Sequence, residues 1–334
     1  MQRIVAAGDR VYMKFFDLDF FRKEAEKEGF ELFSFKGFDD SEFEEAIKDA
    51  VGLILIDRPL TEKHISVLEK CRIILALEVG YDFIDLEAAT RRRIVVSNVP
   101  AYCTDEVATH AVMLLLSVSR KLLALTESVK KGEWDYNLAK PVYHVKNKRL
   151  GIVGLGKIGR SVVPKARGFG INISAYDPYV SDDIFELLGI ERVYEFDDLL
   201  RICDFISLHV PLNGETHHMI SERELRIMKK DAILINTCRG KVIDEYALLK
   251  ALKEGWIGGA GLDVLELEPP EGINPLAQLS NVIITPHSAW YSEESLERLK
   301  RQGMEEVIRV LKGERPRYIV HPEVLAGKKL RAEN

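Results

Sequence analysis

Three polar groups that could act together on a carbonyl follow strand-like runs in the second half of the chain. Arg239 follows the apolar run 233–235, and its planar guanidinium can hold a carboxylate through two parallel hydrogen bonds. Three carboxylates lie within 263–268, and His287 follows a third run. An imidazole has an ordinary pKa of about 6.5, and a neighbouring carboxylate raises that pKa and fixes the tautomer. These residue types predict reduction of a 2-keto acid, with His287 supplying the proton.

Each group also has a simpler interpretation when it is taken alone. An arginine at a strand end often forms a surface ion pair, and a lone histidine before a helix often caps or packs. Acidic residues before two prolines are commonly part of a solvated loop. Convergence of the three groups is therefore a prediction that depends on the fold.

A glycine-rich turn comes before these groups. Gly154, Gly156 and Gly159 fit the G-x-G-x-x-G pattern between a strand-like run and a helical one. The first glycine permits the tight turn, the second lets a pyrophosphate approach the backbone, and the third allows close packing of helix on strand. Asp177, eighteen residues after Gly159, ends the next strand-like run, where a carboxylate can bind ribose hydroxyls. No arginine follows to hold a 2′-phosphate, so the pattern predicts NAD; a glycine turn without a ligand is the alternative.

Strand-like and helical segments alternate along the chain, which predicts parallel sheets covered by helices. The first part has no phosphate loop, and a final helix over 293–312 is expected to return to it. We therefore predict an α/β fold of two Rossmann/flavodoxin-like, doubly wound parallel-sheet domains. The NAD-binding domain, 100–287, is inserted into a discontinuous substrate (catalytic) domain, 1–99 and 288–334. Ligands of such folds bind at the carboxyl ends of strands, so the chemistry is expected in a cleft between the domains.

The segment 107–130 is predicted to form one long helix. Residues 111–116 make it apolar nearly all round, and such a helix has to be buried on several sides. An irregular aromatic segment follows it. We therefore predict a homodimer that forms through the 104–131 helix and the 132–148 arm.

Composition narrows the possible partners and compartment. The 334 residues suffice for two domains, and the net charge of 47 − 53 = −6 includes no basic block, so nucleic acid is not expected. No apolar run is long enough for a membrane span, and no signal peptide is visible. Four cysteines without a C-x-x-C pair indicate free thiols in the cytoplasm. His217 and His218 lack a third ligand at suitable spacing, so no metal is expected.

Several sequence blocks together resemble the D-isomer-specific 2-hydroxyacid dehydrogenase family, over nearly the whole chain. The blocks are Gly154–Gly159 with Asp177, Asn236–Gly240, Asp263–Pro269 and Thr285–His287. The resemblance implies that Arg239 binds and polarises the substrate and that His287 is the acid/base. It also implies that Glu268 is the partner of His287, in preference to Glu266, because the family's glutamate immediately precedes the proline.

The resemblance and the glycine motif also imply the other binding residues. Val79 and Gly80 belong to a loop similar to the segment whose N–H groups hold the substrate carboxylate. Glu78, just before that loop, replaces a small residue of the family, and this acid would repel an anionic substrate unless it is turned away. Asp263 is expected beside the nicotinamide carboxamide. The implied cofactor-binding residues are Gly154, Gly156, Lys157, Ile158, Gly159, Asp177, Val210, Pro211, Thr216, Thr237, Cys238, Arg239, Asp263 and His287.

A narrower likeness is to the branch that contains the C-terminal-binding proteins, in residues 176–179, 217–218 and 287–294. There the tryptophan after the histidine lines the substrate pocket, so Trp290 is expected to favour a bulky or thioether side chain; packing between domains is the alternative. The leading hypothesis is an NAD-dependent D-2-hydroxyacid dehydrogenase, or 2-keto acid reductase, acting on glyoxylate, hydroxypyruvate or larger keto acids. The alternatives are an NAD(H)-sensing regulatory binding protein and a phosphoglycerate dehydrogenase, although no regulatory domain follows the last helix.

Overall fold

The computed structural model describes residues 1–8, 18–37 and 39–325, which form two compact units. The first unit takes the described residues up to Tyr102 and those from Ser292 onward, and the second spans Cys103–Tyr291. Each unit has a parallel sheet with helices, and the second is inserted into the first. The predicted fold class is therefore confirmed. The roles predicted for the two domains stay predictions.

The part of the first unit that the structure describes contains a five-stranded parallel sheet with the order β2-β1-β3-β4-β5. The elements are β1 (Gln2–Gly8), α1 (Leu18–Lys27), β2 (Phe30–Phe35), α2 (Asp40–Ile47), β3 (Ala50–Ile56), α3 (Glu62–Ser66), β4 (Ile73–Ala76), α4 (Leu86–Arg91) and β5 (Val95–Ser97). Strand β3 is buried at every position, as expected for a strand covered on both faces. The helical pattern of 61–70 predicts a longer helix than the one observed, Glu62–Ser66, and the pattern of 17–28 predicts a helix whose first residue, Asp17, lies outside the described residues.

The second unit, all of whose residues are described, contains a seven-stranded parallel sheet with the order β12-β11-β10-β9-β6-β7-β8. The elements are α5 (Thr104–Ser119), α6 (Leu122–Lys130), β6 (Arg149–Val153), α7 (Lys157–Arg167), β7 (Asn172–Tyr176), α8 (Asp182–Leu188), β8 (Glu191–Arg192), α9 (Phe196–Ile202), β9 (Phe205–Leu208), α10 (Glu222–Ile227), β10 (Ile233–Asn236), α11 (Glu245–Glu254), β11 (Gly259–Leu262) and β12 (Val282–Ile284). From β6 the chain adds strands toward one edge of the sheet, β7 and β8, and then, from β9 to β12, toward the other edge. The strand order therefore reverses between the neighbours β6 and β9, and ligands of such sheets bind at that point.

The prediction of one long helix over 107–130 is wrong. The chain breaks between α5 and α6, which are bent by 65°, because Lys121 adopts a left-handed conformation with φ 54°. Helix α5 packs on β10, β11 and α7 and is largely buried. The apolar residues of α6 are instead about half exposed, with Leu122 at 51% and Val129 at 52%. No glycine or proline marks the break in the sequence.

The last helix, α12 (Glu293–Leu311), belongs to the first unit. It packs closely on the sheet at Gly303, where an added Cβ would lie 2.3 Å from Leu77 Cδ1. The following segment is held by the buried His321, whose Nε2 accepts a hydrogen bond from Val96 N at 2.8 Å. The other ring nitrogen lies 2.7 Å from Thr90 Oγ1. The first unit is thus completed by the chain that follows the second.

Candidate active site

Two of the three motif glycines are required by the fold itself. Gly154 has φ 89°, and a Cβ there would lie 2.5 Å from His209 O. A Cβ on Gly159 would lie 2.2 Å from Gly154 O, so a side chain would separate α7 from β6. At Gly156, in contrast, no atom of the described residues lies within 4 Å of an added Cβ. Packing does not explain this glycine, and the open space beside its backbone leaves room for the predicted pyrophosphate.

The start of α7 and the end of β7 complete an arrangement suited to a dinucleotide. Gly156 is the N-cap of α7, and no described side chain caps its first turn. The N–H groups there, near Lys157 and Ile158, are therefore donors for an anion. Asp177 lies beside the turn, with Oδ2 accepting from Leu155 N at 2.8 Å. A partly exposed carboxylate at this position fits ribose hydroxyls.

The remaining residues predicted to bind the cofactor follow β9 and β10. Val210 lies against the glycine turn, and Thr216 donates to Pro211 O at 2.6 Å, which closes the loop after β9. After β10, the buried Thr237 hydroxyl has no hydrogen-bond partner among the described residues. A buried hydroxyl without a partner is costly, and a bound cofactor would satisfy it. Burial raises the pKa of the adjacent Cys238 thiol to about 11, so it stays protonated at neutral pH.

Gly156→Ala is expected to weaken NADH binding by tenfold or more, on the order of 1.4 kcal/mol, and to leave the fold intact. The methyl group meets no protein atom but would occupy the space that we assign to the pyrophosphate. NADH fluorescence titration and thermal unfolding measure the two effects. Gly214→Ala is the control for the stability measurement, because an added Cβ is equally free there. Unchanged NADH affinity in Gly156→Ala would show that the pyrophosphate binds elsewhere.

A buried asparagine shapes the turn that carries Arg239. Asn236 Nδ2 donates to Arg239 O at 2.8 Å, and its Oδ1 accepts from Cys238 N at 3.0 Å. Gly240 follows, where an added Cβ would lie 1.9 Å from the Leu265 carbonyl. The turn after β10 therefore contacts the backbone of the loop after β11. This contact brings the arginine segment and the acidic loop together.

Glu268 and His287 form a direct pair. His287 Nδ1 lies 2.6 Å from Glu268 Oε2, and Glu268 Oε1 accepts from Leu265 N at 2.7 Å. The carboxylate thus accepts a hydrogen bond from Nδ1, which fixes the tautomer and orientation of the imidazole. Glu266 points elsewhere: its Oε1 accepts from Glu245 N at 2.9 Å and lies 3.1 Å from His218 Nε2.

Opposing influences set the pKa of His287. Burial lowers this pKa, but the hydrogen bond and the negative charge of Glu268 raise it, and the net pKa lies above its ordinary value. The positive charge of Arg239 lowers it and the carboxylate of Asp263 raises it. Arg239, Asp263, Glu268 and His287 are therefore close enough to interact electrostatically. The arrangement can hold a proton on His287 around neutral pH.

Glu268→Gln is expected to move the pH profile of keto acid reduction. Reduction needs protonated His287, so its rate falls as pH rises through the pKa of that residue. Removal of the carboxylate lowers this pKa, and the decline then begins at a lower pH. A plot of the logarithm of kcat/KM against pH measures this shift in the pKa of His287. Glu266→Gln should keep the wild-type profile, and a Glu268→Gln profile that matches wild type would exclude Glu268 as the partner.

The residues that the sequence predicted at or next to the substrate site, other than Arg239, lie partly in the first unit and partly in the second, and each has its own neighbours. In the first unit, Val79 and Gly80 follow β4, and Val79 O accepts from Asn98 Nδ2 at 2.7 Å. Glu78 Oε1 accepts from Asp57 N at 3.0 Å, so its side chain is engaged with the backbone after β3. In the second unit, Trp290 packs edge-on against Tyr291, with ring centroids 5.5 Å apart.

Sequence reasoning missed His110, on α5. Its Nε2 lies 2.9 Å from Thr285 Oγ1, next to the turn that carries His287. The available signal was one imidazole within an otherwise apolar helical run. His217 and His218 stack on each other, with ring centroids 4.1 Å apart. Among the described residues, no group of three or more side chains is arranged to hold a metal ion.

In the part of the chain that the structure describes, no single helix has both the length and the apolar composition to cross a membrane. Only α5 and α6 taken together meet that criterion, across their 65° bend.

A Rossmann-type sheet with a glycine turn, and an imidazole–carboxylate pair near an arginine, define a nicotinamide-dependent oxidoreductase. The sequence profile of the D-isomer specific 2-hydroxyacid dehydrogenase NAD-binding domain matches residues 112–289. Curated relatives more than 40% identical extend across most of the chain. The chain belongs to the D-isomer-specific 2-hydroxyacid dehydrogenase family, as its sequence blocks predicted. It is an oxidoreductase of 2-hydroxy acids that uses a nicotinamide dinucleotide.

Named relatives illustrate the range of this family. A glyoxylate reductase of Korarchaeum cryptofilum is 43% identical over 285 residues, covering 84% of this chain and 86% of the relative. A D-3-phosphoglycerate dehydrogenase of Methanocaldococcus jannaschii is 41% identical over 295 residues, covering 88% of this chain but 56% of the relative. The structure of D-lactate dehydrogenase from Aquifex aeolicus with NAD and lactic acid is similar with a TM-score of 0.82 and 30% identity, covering 99% of this chain and all of that one.

Proposed function

We propose that the protein reduces small 2-keto acids to D-2-hydroxy acids with NADH, and that His287, Glu268 and Arg239 carry out the chemistry. The observation that carries this proposal is the 2.6 Å contact between His287 Nδ1 and Glu268 Oε2. It orients the imidazole and, against the effect of burial, raises its pKa, as proton donation requires. Glyoxylate and hydroxypyruvate are the proposed substrate type, together with larger keto acids. The glyoxylate reductase relative supports this choice.

The proposed steps divide between three side chains. Arg239 binds the substrate carboxylate and polarises the adjacent carbonyl through its fork of N–H donors. His287 Nε2 gives its proton to the carbonyl oxygen as the C2 carbon is reduced, and Glu268 stabilises the imidazolium before transfer. The nicotinamide, when bound, supplies the hydride. In the oxidative direction His287 takes the hydroxyl proton.

We further propose that the N–H groups of Val79 and Gly80 bind the substrate carboxylate and that Trp290 contacts the substrate side chain. Glu78 does not argue against an anionic substrate, because its carboxylate is bound to Asp57 N. The proposal for Trp290 is testable by the choice of substrate. A bulky or thioether keto acid should lose its advantage over glyoxylate in Trp290→Ala.

NAD is the proposed cofactor in preference to NADP. Support comes from Asp177, whose carboxylate lies beside the glycine turn and accepts from Leu155 N at 2.8 Å and from Tyr179 N at 2.9 Å. A second carboxylate, that of Glu215, is hydrogen-bonded to the Tyr179 hydroxyl. The carboxylates of Asp177 and Glu215 place two negative charges around Tyr179, and these charges disfavour a 2′-phosphate.

The test of the proposed function is NADH oxidation by the purified protein with a panel of 2-keto acids. The panel extends from glyoxylate and hydroxypyruvate through pyruvate to phenylpyruvate and a thioether keto acid, each with NADH and with NADPH. Turnover of at least one acid, faster with NADH, is expected. Tight NADH binding with no turnover would reject reduction and favour an NAD(H)-sensing binding protein.

A second candidate, phosphoglycerate dehydrogenase, is favoured by the relative from Methanocaldococcus jannaschii, although this chain spans only 56% of that protein. NAD-dependent oxidation of D-3-phosphoglycerate separates the two candidates. A kcat/KM for oxidation of this acid above those for oxidation of the 2-hydroxy acids that correspond to the panel would favour phosphoglycerate dehydrogenase.

We also propose a homodimer formed through the 104–131 segment and the 132–148 arm, in the cytoplasm. Support comes from exposed apolar side chains along these segments, among them Trp134 at 91%, Tyr136 at 73% and Leu122 at 51%. Large apolar side chains that are exposed along one stretch of chain are typical of an interaction surface. The four cysteines are free thiols, which suits a reducing compartment. Sedimentation of wild type as a monomer at micromolar concentration would reject the dimer.

A further inference from the structure

We propose that His110 and Thr285 are positioning residues for His287 and that they act through the carboxylate of Asp263. This inference rests on the proposed function, because it concerns how the proposed acid/base is held. We call residues 285–289 the histidine turn. Within the second unit, α5 supplies His110, the end of β11 supplies Asp263, and the end of β12 supplies the histidine turn.

Asp263 is bound to the histidine turn on both sides of His287. The carboxylate is almost wholly buried, with 1% exposure. Its Oδ1 accepts from the Thr285 hydroxyl at 2.5 Å and from Ser288 N at 2.9 Å, and Oδ2 accepts from Ala289 N at 2.8 Å. The main-chain oxygen of Asp263 accepts from His287 N at 2.8 Å. The carboxylate thus holds the turn through both of its oxygens.

The histidine turn needs such support because His287 has an unfavourable backbone conformation. Its φ is 51°, in the left-handed region. A residue with a side chain is less stable there by roughly 1–2 kcal/mol, and the surrounding structure has to hold it in place. The bonds from Asp263 do so. Loss of any of them would let the imidazole move relative to a substrate.

His110 supports the carboxylate from the opposite side. Its Nε2 lies 2.9 Å from Thr285 Oγ1 and 3.5 Å from Asp263 Oδ1. The Thr285 hydroxyl proton is donated to Asp263, so the hydroxyl oxygen accepts and His110 Nε2 has to carry a proton. This donor fixes the threonine rotamer and stabilises the ionised form of Asp263. Burial lowers the pKa of His110, against the opposing influence of Asp263, which favours the neutral ring with its proton on Nε2.

Two pairs of variants test this arrangement. His110→Leu removes the N–H donor, whereas His110→Gln keeps one; Thr285→Val removes the hydroxyl, whereas Thr285→Ser keeps it. We expect kcat to fall about 10- to 100-fold in the Leu and Val variants, since small misplacements of a catalytic group have effects of this size. NADH affinity should stay within about threefold of wild type. The Gln and Ser variants should recover most of the loss.

Two further measurements separate positioning from general stability. Hydrogen–deuterium exchange at the amides of Ser288 and Ala289 should accelerate about tenfold in His110→Leu, as expected for weakened local hydrogen bonds. The double variant His110→Leu/Thr285→Val should have a kcat no lower than that of the slower single variant, because both substitutions act on the carboxylate of Asp263. Ser119→Ala is the matched control on α5, where the hydroxyl donates only within its own helix, to Leu115 O at 2.6 Å.

Wild-type kcat and exchange rates in His110→Leu would overturn the inference. Equal losses in the Leu and Gln variants, with equal drops in unfolding temperature, would also overturn it, because they indicate packing alone. Failure of the proposed function is a different result: wild type would then reduce no keto acid. In that case the exchange measurement still decides whether His110 holds the histidine turn.

Discussion

His287→Ala is expected to lower kcat for keto acid reduction by about 10²- to 10⁴-fold, the range for loss of a general acid/base. The imidazole is the group that gives its proton to the carbonyl oxygen, and the paired Glu268 carboxylate keeps that proton available. NADH binding should remain within a few-fold of wild type, because the glycine turn and Asp177 are untouched. Steady-state kinetics and NADH fluorescence titration measure the two effects.

Controls separate chemistry from backbone effects at this position. Because His287 has a φ of 51°, alanine changes local strain as well as chemistry. His287→Asn, which tolerates the left-handed region better, should lose activity to the same extent. His144→Ala removes an exposed imidazole and should retain wild-type kcat. Turnover near the wild-type rate in both His287 variants would rule out this residue as the acid/base.

Gly240→Ala is expected to have the second largest effect, on both stability and activity. An added Cβ would lie 1.9 Å from the C and O atoms of Leu265 and 2.4 Å from Glu266 N, all backbone atoms. The acidic loop has to move, which costs roughly 1–3 kcal/mol or more of unfolding free energy. Because that loop carries Glu268, kcat/KM should fall about 10²-fold. Thermal unfolding and initial rates measure the two losses.

Gly214→Ala is the stability control for this variant. Its added Cβ meets no atom of the described residues within 4 Å, so the unfolding temperature should stay at the wild-type value. A Gly240→Ala protein with wild-type stability and activity would show that the arginine turn and the acidic loop are not in rigid contact.

Local features explain why much of the fold was predictable from sequence. The motif glycines are required by their own neighbourhood: Gly154 by its positive φ and Gly159 by its contact with the preceding turn. The alternation of strands and helices is likewise visible within short windows. The break at Lys121 is different, because its left-handed conformation occurs at a residue type with no preference for it. Apolar residues continue on both sides, so periodicity alone predicts one helix.

The candidate site was only partly predictable because its contacts join distant segments. Residue types and strand ends suggested Arg239, an acid and His287, but the choice of Glu268 over Glu266 came from the family resemblance. The structure shows the physical basis of that choice, since Glu268 contacts the imidazole and Glu266 contacts Glu245 N. The contact of His110 with Thr285 joins residues 175 positions apart. No local pattern indicates such a pair.

The most direct test of the central claim is identification of the product formed from a 2-keto acid and NADH. We would incubate wild type with the best acid of the panel that gives a chiral product (glyoxylate is left out, because glycolate has no enantiomers) and separate the 2-hydroxy acid enantiomers by chiral chromatography. We expect the D isomer, formed in equal amount to the NADH consumed, and no product above background with His287→Ala. Formation of the L isomer, or undiminished product formation by the variant, would contradict it.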